Sequence, residues 1–596
     1  MRMLLLSAAA AAPLLLFGAG PALADTTVES TTTPVATSTA KSGQPDNVII
    51  ASGATVNVSG PVAVTMDSSN NITNNGTISI TGQNDSTTVL LNGGNAGIFS
   101  NNGTITNSES YTRTDTNGDG ILDGDFAKGT GRYGVHLVGS SPLVGSFTLA
   151  TGSFVTVQGK NSFGVALDAP VTGDVLQNGA IGITGETTTG FSETGGVTGK
   201  LFIGGAITAT GPAAVGANIQ GNVGGALSIY SAISSTGFSS TVASPDPAIN
   251  AALLSSDLGI SGSAVQIGGN VAHGVFLGAP PVGTVATDTT TDADGDGIVD
   301  SAEGVGSVVT YGTAPALLVG ANGRDVKLGA YGTGTNAYGL IIEGTVSGNG
   351  VYGATSTTPG HSGTGVQIGV AGGTVHIDGG IHVASSGTIT GQGFDNDATG
   401  IHLLAGTTVP ALVNNGSISG QATSSVASQS TGLLIDANAS LSSLSNTGTI
   451  GAAVTGDLGN ASAIVDRSGK LSSITNTNAI LATLTPAGPA AAATGKSVAI
   501  DASANTTGVT LTQSVNATAT IIPRINGDIL LGSGEDNVDF TAGTVQGALD
   551  FGKGSGSLTI DDGAAYTGRL LMTGSNASTD LLAINVNNGS LEDDSA

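Results

Sequence analysis

Two short acidic stretches carry residue types at a spacing that binds hard cations. In the first, Asp292, Asp294 and Asp296 stand at alternate positions and Gly297 supplies a turn. Ile298 offers a backbone carbonyl, and Asp300 and Glu303 complete a twelve-residue loop. Oxygen ligands at positions 1, 3, 5, 7, 9 and 12 suit Ca²⁺, which takes six to eight of them. The second stretch repeats the pattern with Asp115, Asn117, Asp119, Ile121 and Asp123, but Phe126 stands where the chelating Glu would fall. It has one ligand fewer and is expected to bind more weakly. Carboxylates packed this closely repel one another unless a cation sits among them. The expectation is structural calcium, held at roughly 10⁻⁴ to 10⁻³ M as in extracellular modules. The plain alternative is a pair of solvated acidic turns holding no ion.

Catalytic signatures are thin. The six histidines are His136, His273, His361, His376, His382 and His402. His136 and His402 occupy the same place in a recurring phrase, so they read as outward strand positions, not as bases. There is no Gly-x-Ser-x-Gly elbow with an ordered triad and no His-Glu-x-x-His. Carboxylates are plentiful, so stacking could bring pairs of Asp together for glycoside cleavage. Arginines are few and unclustered, however, and aromatic residues make up only 4% of the chain, which leans against sugar stacking. The expectation is no enzyme, with a polysaccharide-degrading β-helix as the alternative.

The elements that would position these loops follow from two repeated phrases. One is Asn74-Asn75-Gly76-Thr77-Ile78, which returns at 101–105, 414–418 and 446–450. Weaker copies begin at Gln177, Ser385 and Asn476. The other places a small residue before alternating apolar positions: Gly134-Val135-His136-Leu137, Gly164-Val165 and Gly365-Val366. It continues with Gly400-Ile401, Gly432-Leu433, Ala463-Ile464 and Ser497-Val498. From 365 to 497 its copies are 35, 32, 31 and 34 residues apart. Asn-Gly tolerates a sharp turn, and the Thr-Ile or Ser-Ile that follows starts a strand with one side chain in and one out. A hairpin sheet, a sandwich or a propeller also uses such turns, but none explains a two-phrase unit at this period. Coiling short strands into a stack does, because each coil buries its apolar face only on its neighbours. The predicted fold is all-β, a right-handed parallel β-helix with inserted loops, its turn asparagines stacked in amide ladders.

Composition agrees. The chain has 596 residues, 96 Gly, no Cys, no Trp, 39% hydrophobic and 10% charged residues. Finely spread aliphatics broken by Gly, Asn, Ser and Thr suit short strands and exclude long helices. Met1-Arg2-Met3, the apolar run Leu4 to Phe17 and Ala22-Leu23-Ala24 before Asp25 read as a secretory signal peptide over 1–24. Without Arg2, 14 basic residues face 42 acidic ones, a formal charge of −28. That surface repels phosphate backbones and anionic lipid, so neither nucleic acid nor direct lipid binding is expected.

The signal peptide, the Asn-x-Gly-Thr-Ile coils and the run Gly527 to Asp536 together resemble the passenger domain of autotransporters, the type V secretion family. That resemblance implies display at the cell surface or outer membrane, or release from it. It also implies adhesion to a surface, host or matrix ligand, and an outer-membrane translocator barrel supplied in cis or in trans. The expected organisation is a flexible Thr/Ser-rich leader over 25–45 and a β-helix over 46–520, with insertions near 108–130 and 283–310. A solenoid stem over 521–596 follows, ending before any translocator barrel.

Overall fold

Short strands with a single inward aliphatic every second residue cannot bury that residue alone, and the fold answers by stacking them. The computed structural model describes residues 25–280, 299–332, 337–354, 360–488, 493–516, 521–576 and 579–594, with a few positions between 284 and 291. Most coils give one strand to each of three long parallel sheets, and a few give two to the first, as with Asp325–Leu328 and Leu340–Ile342. Among the described residues the first sheet has 20 strands and the other two 17 each. One turn of the stack shows the plan: Ile72–Asn74 in the first sheet, Thr77–Thr81 in the second and Ser86–Asn92 in the third. The chain is a parallel β-helix.

Both sequence phrases lie in register through the stack. In the second sheet Ile78, Ile105, Val155, Ile181 and Ile207 follow one another rung by rung. In the third, Val366 pairs with Ile401, Ile401 with Leu433, and Leu433 with Ile464. All are fully or almost fully buried. These columns are the core, a continuous axis of Ile, Val and Leu whose burial drives assembly. The last copy of the second phrase is displaced: Ile464 pairs with Ile500, two residues beyond Val498.

The expected amide ladders are present. Asn414 Nδ2 donates to Asn446 Oδ1 at 2.7 Å, Asn446 Nδ2 to Asn476 Oδ1 at 2.8 Å, and Asn476 Nδ2 to Gln513 Oε1 at 2.9 Å. A second ladder joins Asn74 to Asn101 at 2.7 Å. The glycine of the phrase has a different reason from the one expected. Gly103, Gly416 and Gly448 are not in the positive-φ region. Instead a Cβ on Gly103 would lie 2.1 Å from Gly76 O, and one on Gly448 would lie 2.0 Å from Gly416 O. Stacked turns approach too closely for a side chain.

Residues 25–45, read from composition as a flexible leader, form a coil. Thr26–Val28 pairs with Val48–Ile50, and Val35 and Ala36 pair with Val64 and Thr65. Thr27 faces outward there, while Val28, Val35 and Ala40 pack on the core; with so few inward sites the aliphatic period is too sparse to notice. Beyond 521 the coil shortens. Ile525, Val545 and Tyr566 are successive rungs only 20 and 21 residues apart.

Between residues 143 and 328 a fourth, narrow ladder runs along one corner. Leu143–Val144 pairs with Val171–Thr172, and bridges continue from Val171 through Val197, Val223 and Val271 to Leu328. Segments 109–131 and 237–264, and the described parts of 278–306 and 350–362, leave the coils between named strands. One of them contains a short helix, Pro247–Ala252, started by Asp246 Oδ1 accepting from Ala248 N. Among the described residues no helix is long and apolar enough to cross a membrane.

Candidate functional site: a lateral platform built from inserted loops

The loop beginning at Asp115 folds on its own acidic side chains. Asp115 accepts from Gly118 N at 2.7 Å and Gly120 N at 2.9 Å, one bond to each oxygen. Gly118 and Gly120 take φ of 80° and 87°, which L side chains rarely adopt, so both positions require glycine. Asn117 Oδ1 accepts from Asp119 N at 3.1 Å, and Asp119 Oδ1 from Ile121 N at 2.8 Å. Asp123 is buried; its Oδ2 takes both the amide and the hydroxyl of Thr116 at 2.5 Å. The Thr116 hydroxyl, more than any other neighbour, holds the Asp123 carboxyl below its usual range.

Phe126, in the place of the chelating Glu, is buried and forms a floor under the Arg113 guanidinium, 4.1 Å from the ring centroid. Arg113 donates to the carbonyls of Leu122 and Asp123 and pairs with the buried Asp257 at 3.5 Å. The twelfth position therefore serves packing. At the base, Glu109 anchors the segment to the coil. Its carboxylate accepts from Lys128 N and Gly129 N and meets the buried Arg132 at 3.0 Å. Asp125 receives Lys128 and Lys160, each at 2.9 Å, and these partners, Lys128 first, keep its carboxyl ionised below the ordinary range.

Of the other predicted loop, Asp292, Asp294, Asp296 and Ile298 lie outside the described residues. Asp300 begins a single 3₁₀ turn, Asp300–Ala302, and both Asp300 and Glu303 are buried. Among the described residues no group of three or more His, Asp or Glu is gathered as a metal cage.

Sequence reasoning missed the convergence of the insertions. Asn117 Nδ2 donates to Ala252 O at 3.0 Å, and Gly124 N to Ser256 Oγ at 3.3 Å. Tyr352 Oη in turn donates to Ser240 O at 3.0 Å, and the Phe238 ring meets Tyr352 and His361 edge-on. Segments 109–131 and 237–264, with 350–354 and 360–362, thus form one raised platform on the flank of the stack. Leu122, Val242, Leu254 and Ile260 stay exposed there, Val242 to 74%. The Pro-rich turn at 244–247 marks a loop in the sequence, but nothing in it says which way the loop leans.

Elsewhere the flanks are differently furnished. His136 and His402 face outward as expected and meet the next coil's Asp168 at 2.8 Å and Asp436 at 3.0 Å. A groove of roughly 420 Å³ holds Asp397, Asp466, Asp501 and Arg467 but no aromatic ring. Asp466 and Asp501 already accept from the serines two residues on. A corner groove of roughly 740 Å³ follows the fourth ladder over Gly196, Gly224 and Gly329, with Asn222, Asn270 and Lys327 in its walls. Behind it Glu193 is fully buried between Leu167 and Ile219 in the core column, and burial pushes its carboxyl up to about 7.

The fold and platform define a β-helical scaffold decorated on one flank. In comparisons with known proteins, no family, no curated protein and no solved structure matches the chain.

Proposed function

We propose that the chain is an exported structural or adhesive rod of the cell surface, similar in plan to an autotransporter passenger and stabilised by calcium at its inserted acidic loops. One observation carries the reading: three insertions far apart in sequence gather on one flank and present exposed aliphatic side chains. A uniform stack has no need of such a feature for its own stability; a surface that meets a partner does. The signal-peptide pattern of residues 1–24 and the formal charge of −27 support export and a soluble, cation-attracting surface. The partner is a surface, host or matrix ligand, and a translocator barrel in cis or in trans carries the rod outward.

The test is expression of the full chain in a bacterium with two membranes, with N-terminal sequencing of the product and protease treatment of intact cells. The expected product begins at Asp25 and is shaved from the cell surface. An uncleaved cytoplasmic product would overturn the proposal. The groove with Asp397 and Asp501 supports one second reading, polysaccharide cleavage. Its assay is release of reducing ends from a polysaccharide panel by wild type but not by Asp501→Asn.

A further inference from the structure

We propose that a calcium ion in the Asp115 loop fastens the insertion 237–264 to the platform, so that metal binding and docking of that insertion are one coupled event. The inference rests on the calcium reading above and adds what the ion does.

The loop is already bent for a cation. Each oxygen of Asp115 accepts one backbone N–H, and a carboxylate oxygen has a second lone pair left for a metal. Asp123 adds an independent sign. It is only 5% exposed, and its Oδ1 is buried with no hydrogen-bond partner. Its Oδ2 is tied to Thr116, the residue directly after Asp115, which fixes the carboxylate to the start of the loop. Burying a charged acceptor without a partner is costly, and a cation between Asp115 and Asp123 removes that cost. Arg113 makes no hydrogen bond to that carboxylate; it bonds the carbonyls of Leu122 and Asp123, lies over Phe126 and reaches Ser239 and Asp257.

The coupling lies in which atoms reach the neighbouring insertion. Asn117, the third ligand position, donates through Nδ2 to Ala252 O at the end of the short helix. An amide whose oxygen meets a cation has a more strongly polarised N–H, so ligation strengthens this bond. Gly124, directly after the ligand Asp123, donates to Ser256 Oγ. The insertion is also held at its base, where Phe238 packs with Val351 and Tyr352 and Tyr352 Oη donates to Ser240 O, but its helix Pro247–Ala252 buries no residue. Without the ion, Asp115, Asp119 and Asp123 repel one another, and both tethers move with them. Linkage makes the effect reciprocal, so docking of 237–264 must tighten calcium binding by the factor by which calcium favours docking.

The experiment uses the full chain carrying Asp294→Ala and Asp296→Ala, which silences the other acidic loop, with calcium alone as the probe. Calorimetric titration gives the affinity, and hydrogen exchange of 240–256 with and without calcium on the order of 10 mM gives the docking. The expected result is slower exchange across 244–256 on saturation, abolished in Asp119→Ala. Ser256→Ala, which removes the Gly124 tether, is expected to weaken calcium binding about fivefold. Circular dichroism of each variant checks that the strands persist. Calcium binding of unchanged affinity in Ser256→Ala, with no change in exchange at 240–256, would overturn the coupling and leave the calcium reading intact. Absence of binding in the parent protein at that concentration would remove both.

Discussion

Replacing Asn446 by Ala takes an inner rung out of the longer amide ladder. Asn446 is fully buried; it donates to Asn476 Oδ1 and to Ala479 O at 3.0 Å, and it accepts from Asn414 Nδ2. Three hydrogen bonds disappear, each worth about 1 kcal/mol net. Asn414 Nδ2 keeps a 3.1 Å bond to Thr449 O, whereas Asn476 Oδ1 keeps only a long one, 3.4 Å, from Asn478 N. The loss is therefore about 3 kcal/mol, with little further penalty for orphaned partners. Because each coil rests on its neighbours alone, the loss falls on the coils around 414–480 and leaves those around 72–108 unchanged. Native-state hydrogen exchange measures this directly as the opening free energy of amides 444–450, with Ser445→Ala at the adjacent outward position as control. A change in Asn446→Ala below about 1 kcal/mol, no larger than in the control, would refute the claim that the ladder stabilises the stack.

The remaining predictions concern other buried groups. Glu193 has its carboxyl raised from 4.5 to about 7, so the folded protein holds its proton more tightly than the unfolded chain. Its contribution is complete below pH 4.5 and is lost as pH rises through 7; Glu193→Gln should flatten that part of the urea-stability profile, which spans roughly 3 kcal/mol. Gly448→Ala forces a Cβ to within 2.0 Å of Gly416 O; the backbones must part, and about 2 kcal/mol of stability should be lost in chemical denaturation. Glu109→Ala leaves the Arg132 guanidinium buried beside an empty site; a loss of about 3 to 5 kcal/mol, with early proteolytic nicking in 109–131, is the expected outcome.

The stack was legible because its two signals are local and repeated. The asparagine that opens each Asn-x-Gly phrase is the buried rung of a ladder, and the aliphatic after the small residue is the core of the third sheet in every copy but the last. What escaped depends on distance or shape. Gly103 looks like a turn residue, but its need for no side chain comes from Gly76, a full coil away. Glu193 follows Phe191 by the alternation of a strand and reads as solvent-facing by chemistry, yet its register puts it inside. The 20-residue coil after 521 carries too few copies to set a period. The acidic spacing of the Asp115 loop stands out in the sequence, while its lean toward the Pro247–Ala252 helix was invisible, since a repeat fixes height along the axis and not the direction in which an excursion folds.

The change of coil size has a mechanical consequence. Every coil advances the rod by one strand spacing, about 4.8 Å, whatever its circumference. Coils of 31 to 35 residues spend more chain on girth, and those of 20 or 21 residues near Val545 spend it on reach. The rod is thus thicker through 365–497 and slender beyond Ile525, where a bending force flexes it first.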